Sequence, residues 1–171
     1  MEYKKEKTIE LSVWIISALL LVRYVPKRKI REAHVAFMFK QMMTWLFGLV
    51  VVENDNINYP YRTFFKKTLK SSFTFEYFAY PALCAIFNVH YPEKSSASIK
   101  FLYFLFHTSI ITFFEVLILK YTKLIHYEKW SWYWTFTTIW LTYYISHIHN
   151  RWFFGNFFTR KKILQKLFYR F

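Results

Sequence analysis

Cysteine occurs once in the chain, at Cys84, and glycine only twice. One thiol excludes an intrachain disulfide and any metal or redox site built on paired cysteines. Cys84 lies inside an apolar run, where a small buried hydrophobe is the ordinary role. So few glycines leave no Gly-rich phosphate loop and no nucleophile elbow. There is no Gly/Ser linker, internal repeat or low-complexity tract to divide the chain into modules. Acids are scarce as well, 10 against 24 Lys and Arg, for a formal charge of +14. The six histidines include no HExxH-like or His-x3-His pair. His147 and His149 are two apart, a spacing that points them to different sides of a helix. No metal and no cofactor is expected on these grounds.

What the chain has instead is apolar and aromatic bulk. Of its 171 residues, 55% are hydrophobic and 25% aromatic. One soluble domain of this length could not hide so many large rings. Mean hydropathy is only +0.11, because Tyr, Trp and the basic connections lower it. The positive charge collects between long apolar runs and not on one face of a soluble fold. That distribution suits anionic lipid head groups and argues against nucleic acid as a partner.

About five runs approach the ~20 residues that span a bilayer, over residues 9–25, 33–52, 73–89, 99–119 and 130–148. The first resembles a signal peptide, but a basic "KRKIR" follows it and no small-x-small cleavage site does, so it reads as retained. Glu76 and Pro81 interrupt the third, where Pro81 predicts a kink. The expected fold is therefore all-α: a polytopic membrane helical bundle formed by residues 1–151, with short connections. Residues 152–171 form a basic amphipathic tail, with Leu164, Leu167, Phe168 and Phe171 at i, i+3, i+4, i+7. Such a helix lies on a membrane surface; the blander alternative is that it continues the last span. Arg160, Lys161, Lys162 and Lys166 are its candidate head-group contacts. "YRTFFKKTLK" (61–70) is a weaker amphipathic segment of the same kind.

Polar residues inside the runs repeat with helical period. Lys40, Thr44 and Gly48 form one stripe and Glu76, Tyr80, Cys84 and Asn88 a second. Thr108, Thr112 and Glu115, with His107 beside them, form a third. Ser131, Thr135, Thr138, Thr142, Ser146 and His149 form a fourth. Ionisable groups in a span face the bundle interior or a wet cavity. The polar stripes should then face one another and the aromatic faces the lipid. Lys40, Gln41, Glu76, Asn88, His107 and Glu115 are the candidate polar core. Counting from the run ends puts Lys40 and His107 near one level, and gathers Glu53, Glu76 and Glu115 toward the other side. Lys40 and Glu115 are separated enough in height that a direct bond needs tilt or a bridging water. "WSWYW" (130–134) reads as an interfacial aromatic belt.

An odd number of spans sets the two ends on opposite sides. Ten Lys and Arg then flank the membrane on the N-terminal side and thirteen on the other. By the positive-inside rule the C-terminus is cytoplasmic and the N-terminus outside.

"KIREA" (29–33), "FKQ" (39–41), "TWLFGL" (44–49), "FTFEY" (73–77), "YP" (80–81), "FNVHYP" (87–92), Glu115, "KYT" (120–122) and "WSWYW" together resemble a family of small multipass membrane proteins widespread in spore-forming Firmicutes. The resemblance runs over roughly residues 9–150. It implies a bacterial cell membrane and supplies no catalytic residues. The basic tail is longer than the family pattern.

Three functional readings follow. The first is a non-enzymatic membrane protein whose polar core serves packing or assembly with a membrane-protein partner. The second is a small transporter or ion-conducting unit using Lys40, Glu76, Glu115 and His107. The third is a lipid-binding or lipid-processing protein. Five helices with short loops enclose little space, so a pathway would favour a homo-oligomer such as a dimer.

Overall fold

The computed structural model describes residues 3–65, 67–68 and 70–168, with side chains up to residue 155. It is mostly helical, as the all-α expectation requires. Helix α1 is Lys4–Tyr24, α2 is Ile30–Glu53, α3 is Tyr80–Val89, α4 is Ala97–Tyr121 and α5 is Trp132–Phe168. A π-helical turn, Phe75–Ala79, leads directly into α3. Two helical stretches, Lys27–Glu53 and Ala97–Tyr121, are long and apolar enough to cross a membrane.

Local chemistry sets the ends. Pro26 disfavours helix at the residue before it, and α1 stops at Tyr24. α2 runs out into Asn54 and Asp55, the latter at φ 52°, a left-handed conformation that Asp tolerates better than most residues. Lys29 Nζ donates to the Val89 carbonyl at the end of α3 (2.5 Å), and His90 Nε2 lies 2.7 Å from the Tyr24 carbonyl at the end of α1. These contacts satisfy carbonyls that a helix terminus leaves open.

α3 is the central helix. It packs on α1, α2 and α5, most extensively on α2. Its small buried residues Ala82, Cys84 and Ala85 allow that close approach. The run that looked weakest as a span is thus the one the others surround.

Burial is inverted relative to a water-soluble bundle. Glu10, Lys40, Glu76, Asn88, Thr108, Glu115, Thr142 and Ser146 are buried. Leu11, Leu19 and Val22 of α1, Met38 and Leu46 of α2, Phe106 and Phe113 of α4, and Leu141 and Ile148 of α5 face outward. The polar stripes do turn inward. The aromatic faces do not all turn outward: Phe87, Phe104 and Tyr143 form an internal cluster with Cys84, Ile111 and Ile139.

Three features depart from the expected plan. The connection after α2 is not short, since helix resumes only at Phe73. It carries a two-residue strand β1, Ile57–Asn58, paired antiparallel with β2, His126–Tyr127, from the α4–α5 connection. Ile57, Tyr59, Leu124 and Ile125 from these two connections bury against Phe75 and Ala79, which closes one end of the bundle. Strand pairing between loops so distant in sequence leaves no periodic signal. The amphipathic segment 61–70 forms no helix among its described residues, and Phe65 at φ 52° interrupts the helical path. Finally, α5 passes without a break through the expected boundary at 151/152. The side chains of Arg160, Lys161, Lys162 and Lys166 lie outside the described residues.

Candidate functional site

Proline dictates the local structure around Glu76. Pro81 has no N–H, so the carbonyls one helical turn earlier lose their donor. In the π-turn the Tyr80 N–H reaches back to Phe75, which leaves Pro81 opposite the Glu76 carbonyl. α2 supplies the missing donors. Thr44 Oγ1 donates to the Glu76 carbonyl at 2.7 Å, and Gln41 Nε2 donates to the Tyr77 carbonyl at 3.0 Å. This accounts for Gln41: it satisfies backbone exposed by Pro81, and its role is structural.

The wider π-turn places the Glu76 side chain against α2. A Cβ added to Gly48 would lie 2.5 Å from Glu76 Cδ, so only glycine leaves the carboxyl its seat. Glu76 is 3% exposed. Ser71, the Ser72 backbone and Tyr59 lie beside it, yet among the described residues neither carboxyl oxygen has an aligned hydrogen-bond donor. Glu76 borders a cavity of about 90 Å³, enough for several waters. Its walls include Lys40, Thr44, Gly48, Tyr59, Tyr80, Glu115, Trp130 and Thr135.

Glu115 occupies the same cavity in the opposite condition. Tyr80 donates to its Oε2 at 2.6 Å; Tyr127 and Thr135 donate to its Oε1 at 2.5 and 2.8 Å. Trp130 Nε1 in turn donates to Thr135 Oγ1 at 2.9 Å. Hydroxyl donors of this kind disperse a carboxylate's charge. Burial, with the Glu76 and Glu115 carboxyls beside it, holds the Tyr59 phenol well above its ordinary value. Burial and Glu115 act likewise on Tyr127. Both loop tyrosines therefore stay protonated and remain donors.

Lys40 is 3% exposed. Its Nζ donates to Thr142 Oγ1 at 2.5 Å and lies 5.1 Å from the Tyr143 ring centre. It makes no ion pair among the described residues. Thr142 and Thr135, which hold Lys40 and Glu115, are seven residues apart on α5, about 10.5 Å of helix. The separation expected from the sequence is present, and the cavity lies along it.

Of the six sequence candidates, Lys40, Glu76 and Glu115 meet at the cavity, and Gln41 supports it from behind. Asn88 does not reach it. Its Nδ2 donates to the Cys84 carbonyl (2.9 Å) and to Ser146 Oγ (3.3 Å). His107 stands in the aromatic cluster, with Nδ1 2.9 Å from the Tyr103 carbonyl and its ring edge-on to Phe87. Glu53 is exposed at the end of α2 and stays outside the group of buried acids. Sequence reasoning missed Tyr59, which lines the cavity, and Tyr127, which bonds Glu115 at its wall, both from the paired connections. It also missed the burial of Glu6 and Glu10 on α1, where Glu10 accepts from Thr63 and Glu6 Oε1 accepts from the Lys123 N–H at 3.3 Å. A larger surface pocket of about 490 Å³, lined by Asp55, Arg62, Lys70, Glu128 and Lys129 among others, shares Ile57 with the cavity. Among the described residues no three His, Cys, Asp or Glu side chains gather as a metal site.

Comparison with protein families, curated proteins and solved structures finds no match to the chain.

Proposed function

We propose that this chain is a polytopic membrane protein of about five spans whose interior pocket takes up a small polar solute or cation. The inverted burial supports hydrocarbon as the surrounding solvent: charged groups lie inside, and large apolar side chains cover the outside. The resemblance in sequence and the Lys/Arg count support a bacterial cell membrane, with the N-terminus outside and the C-terminus in the cytoplasm. The connections joined by β1 and β2 then face outward, with the surface pocket beside Ile57 on that side.

The observation that carries the solute reading is the Glu76 carboxyl, buried at the cavity wall with both oxygens lacking aligned donors. A group retained only for packing is expected to be satisfied, as Gln41 and Thr44 are. Burying a carboxyl whose neighbouring donors are poorly aligned is costly, and that cost is offset when something binds. The test is flux. Proteoliposomes holding the full chain are challenged with gradients of H+, Na+, K+, methylammonium and glycine. At least one gradient should dissipate faster than in empty vesicles, and Glu76→Gln should abolish the difference. If every gradient persists as in empty vesicles while the chain is folded in the membrane, the pocket is packing alone.

A further inference from the structure

We infer that the pocket ligand is a small primary alkylammonium ion, its N–H donors taken up by Glu76 and its carbon tail by the aromatic wall. This rests on the pocket reading above. Formal charge is the first argument. Glu76 and Glu115 bring two carboxyls to the cavity and Lys40 one amine. With both carboxyls ionised alongside the Lys40 ammonium, one monovalent cation neutralises the site, whereas a zwitterion or an anion does not. Hydrogen bonding is the second. Glu115 already accepts from Tyr80, Tyr127 and Thr135, so Glu76 is the open acceptor. A primary ammonium offers the N–H donors that a bare carboxyl lacks; a quaternary ammonium offers none.

The walls are the third argument. Phe47, Tyr59, Tyr80 and Trp130 border the cavity. Aromatic faces attract a desolvated ammonium and accommodate its methyl groups. Sodium or potassium would exchange a full shell of water oxygens for these largely carbon surfaces. Size is the fourth. About 90 Å³ is smaller than an engineered cavity of roughly 150 Å³ that holds benzene, so the occupant has only a few non-hydrogen atoms. Lys40 stands at the far end, bonded to Thr142, and excludes a second cation.

The experiment is a thermal-shift and calorimetric titration of the purified full chain in detergent. Phosphate is the buffer, so that no amine competes. The probes are methylammonium, ethylammonium, tetramethylammonium, NaCl, KCl and glycine. Saturable stabilisation by methylammonium or ethylammonium is expected, weakened at least about tenfold by Glu76→Gln, which removes the charge-assisted bonds. Trp130→Leu should weaken it about threefold, the scale of a lost cation–π contact; that variant keeps the test open if Glu76→Gln does not fold. His107→Gln, in the aromatic cluster, should leave affinity unchanged.

Tetramethylammonium, Na+ or K+ binding as well as methylammonium would overturn the ligand class. So would binding by glycine alone, lost in Lys40→Met. In each of those cases loss of binding in Glu76→Gln would leave the pocket reading standing. If no probe stabilises the folded chain, the ligand class fails; the pocket reading fails with it only if every gradient also persists in the flux assay.

Discussion

The bundle interior divides into two regions built from the same helices, and they are organised on opposite terms. Around Phe87 the interior is aromatic and closed: its ring stacks on Tyr143 at 4.8 Å and meets Phe104 edge-on at 4.9 Å. Some polar groups there reach local partners, as when Tyr103 donates to the Phe87 carbonyl at 3.1 Å, while the Tyr143 and Thr108 hydroxyls have none among the described residues. Between Lys40 and Glu115 the interior is open, and its charges do not pair with one another. The contrast shows that buried polarity does not carry one meaning in this chain. Asn88 and Gln41 donate across to neighbouring helices, while Glu76 lies at the cavity with neither oxygen aligned to a donor.

Substitutions on the two sides of that divide should separate stability from solute handling. Phe87→Ala removes the centre of the closed region. It should cost about 3–5 kcal/mol, read by denaturant unfolding in mixed micelles, and a cost under half of that would mean the region is loosely packed. Gln41→Leu comes next. It strands the Tyr77 carbonyl and should cost about 0.6–1.7 kcal/mol, the scale of interhelical hydrogen bonds in membrane proteins. An unchanged unfolding midpoint would show that the Tyr77 carbonyl finds another donor.

Gly48→Ala should cost about 1 kcal/mol, because the Glu76 side chain can swing away from the new methyl group. Its effect on solute flux should exceed its effect on stability, since the carboxyl has lost its seat. Equal flux with reduced stability would place Gly48 on the packing side of the divide. The smallest effect is expected from His107→Gln. His107 shares the membrane level of the cavity in the sequence reading but not its lining, so flux through reconstituted vesicles should match the parent chain. A large loss would erase the distinction between the two regions.

Much of the pocket was legible in the sequence because helical period is a reliable signal. The stripe Lys40, Thr44, Gly48 lines the cavity throughout, and Thr135, Thr138 and Thr142 face it from α5. Level without face was not enough. His107 is adjacent to buried Thr108, but one residue is about 100° around a helix, and the ring falls among Tyr103 and Phe87. Asn88 continues the stripe of Glu76 and Tyr80 so far along α3 that it meets Ser146 and not the cavity. Tyr59 and Tyr127 could not be placed at all, because a two-residue ladder between distant connections sets their positions. The role of Gln41 was latent in Pro81, four residues beyond Tyr77, but emerges only once α2 is known to lie against that turn.

The most direct test of a site distinct from the packing compares two isosteric changes in one cavity. Unfolding free energies of Glu76→Gln and Glu115→Gln, measured in the same detergent without added solute, should diverge. Glu76→Gln should leave stability unchanged or raise it, because the carboxyl it replaces has no aligned donors. Glu115→Gln should lose about 1.5–3 kcal/mol, the worth of hydrogen bonds to a charged group. Equal destabilisation by the two would contradict the account, since Glu76 would then be as much a part of the packing as Glu115.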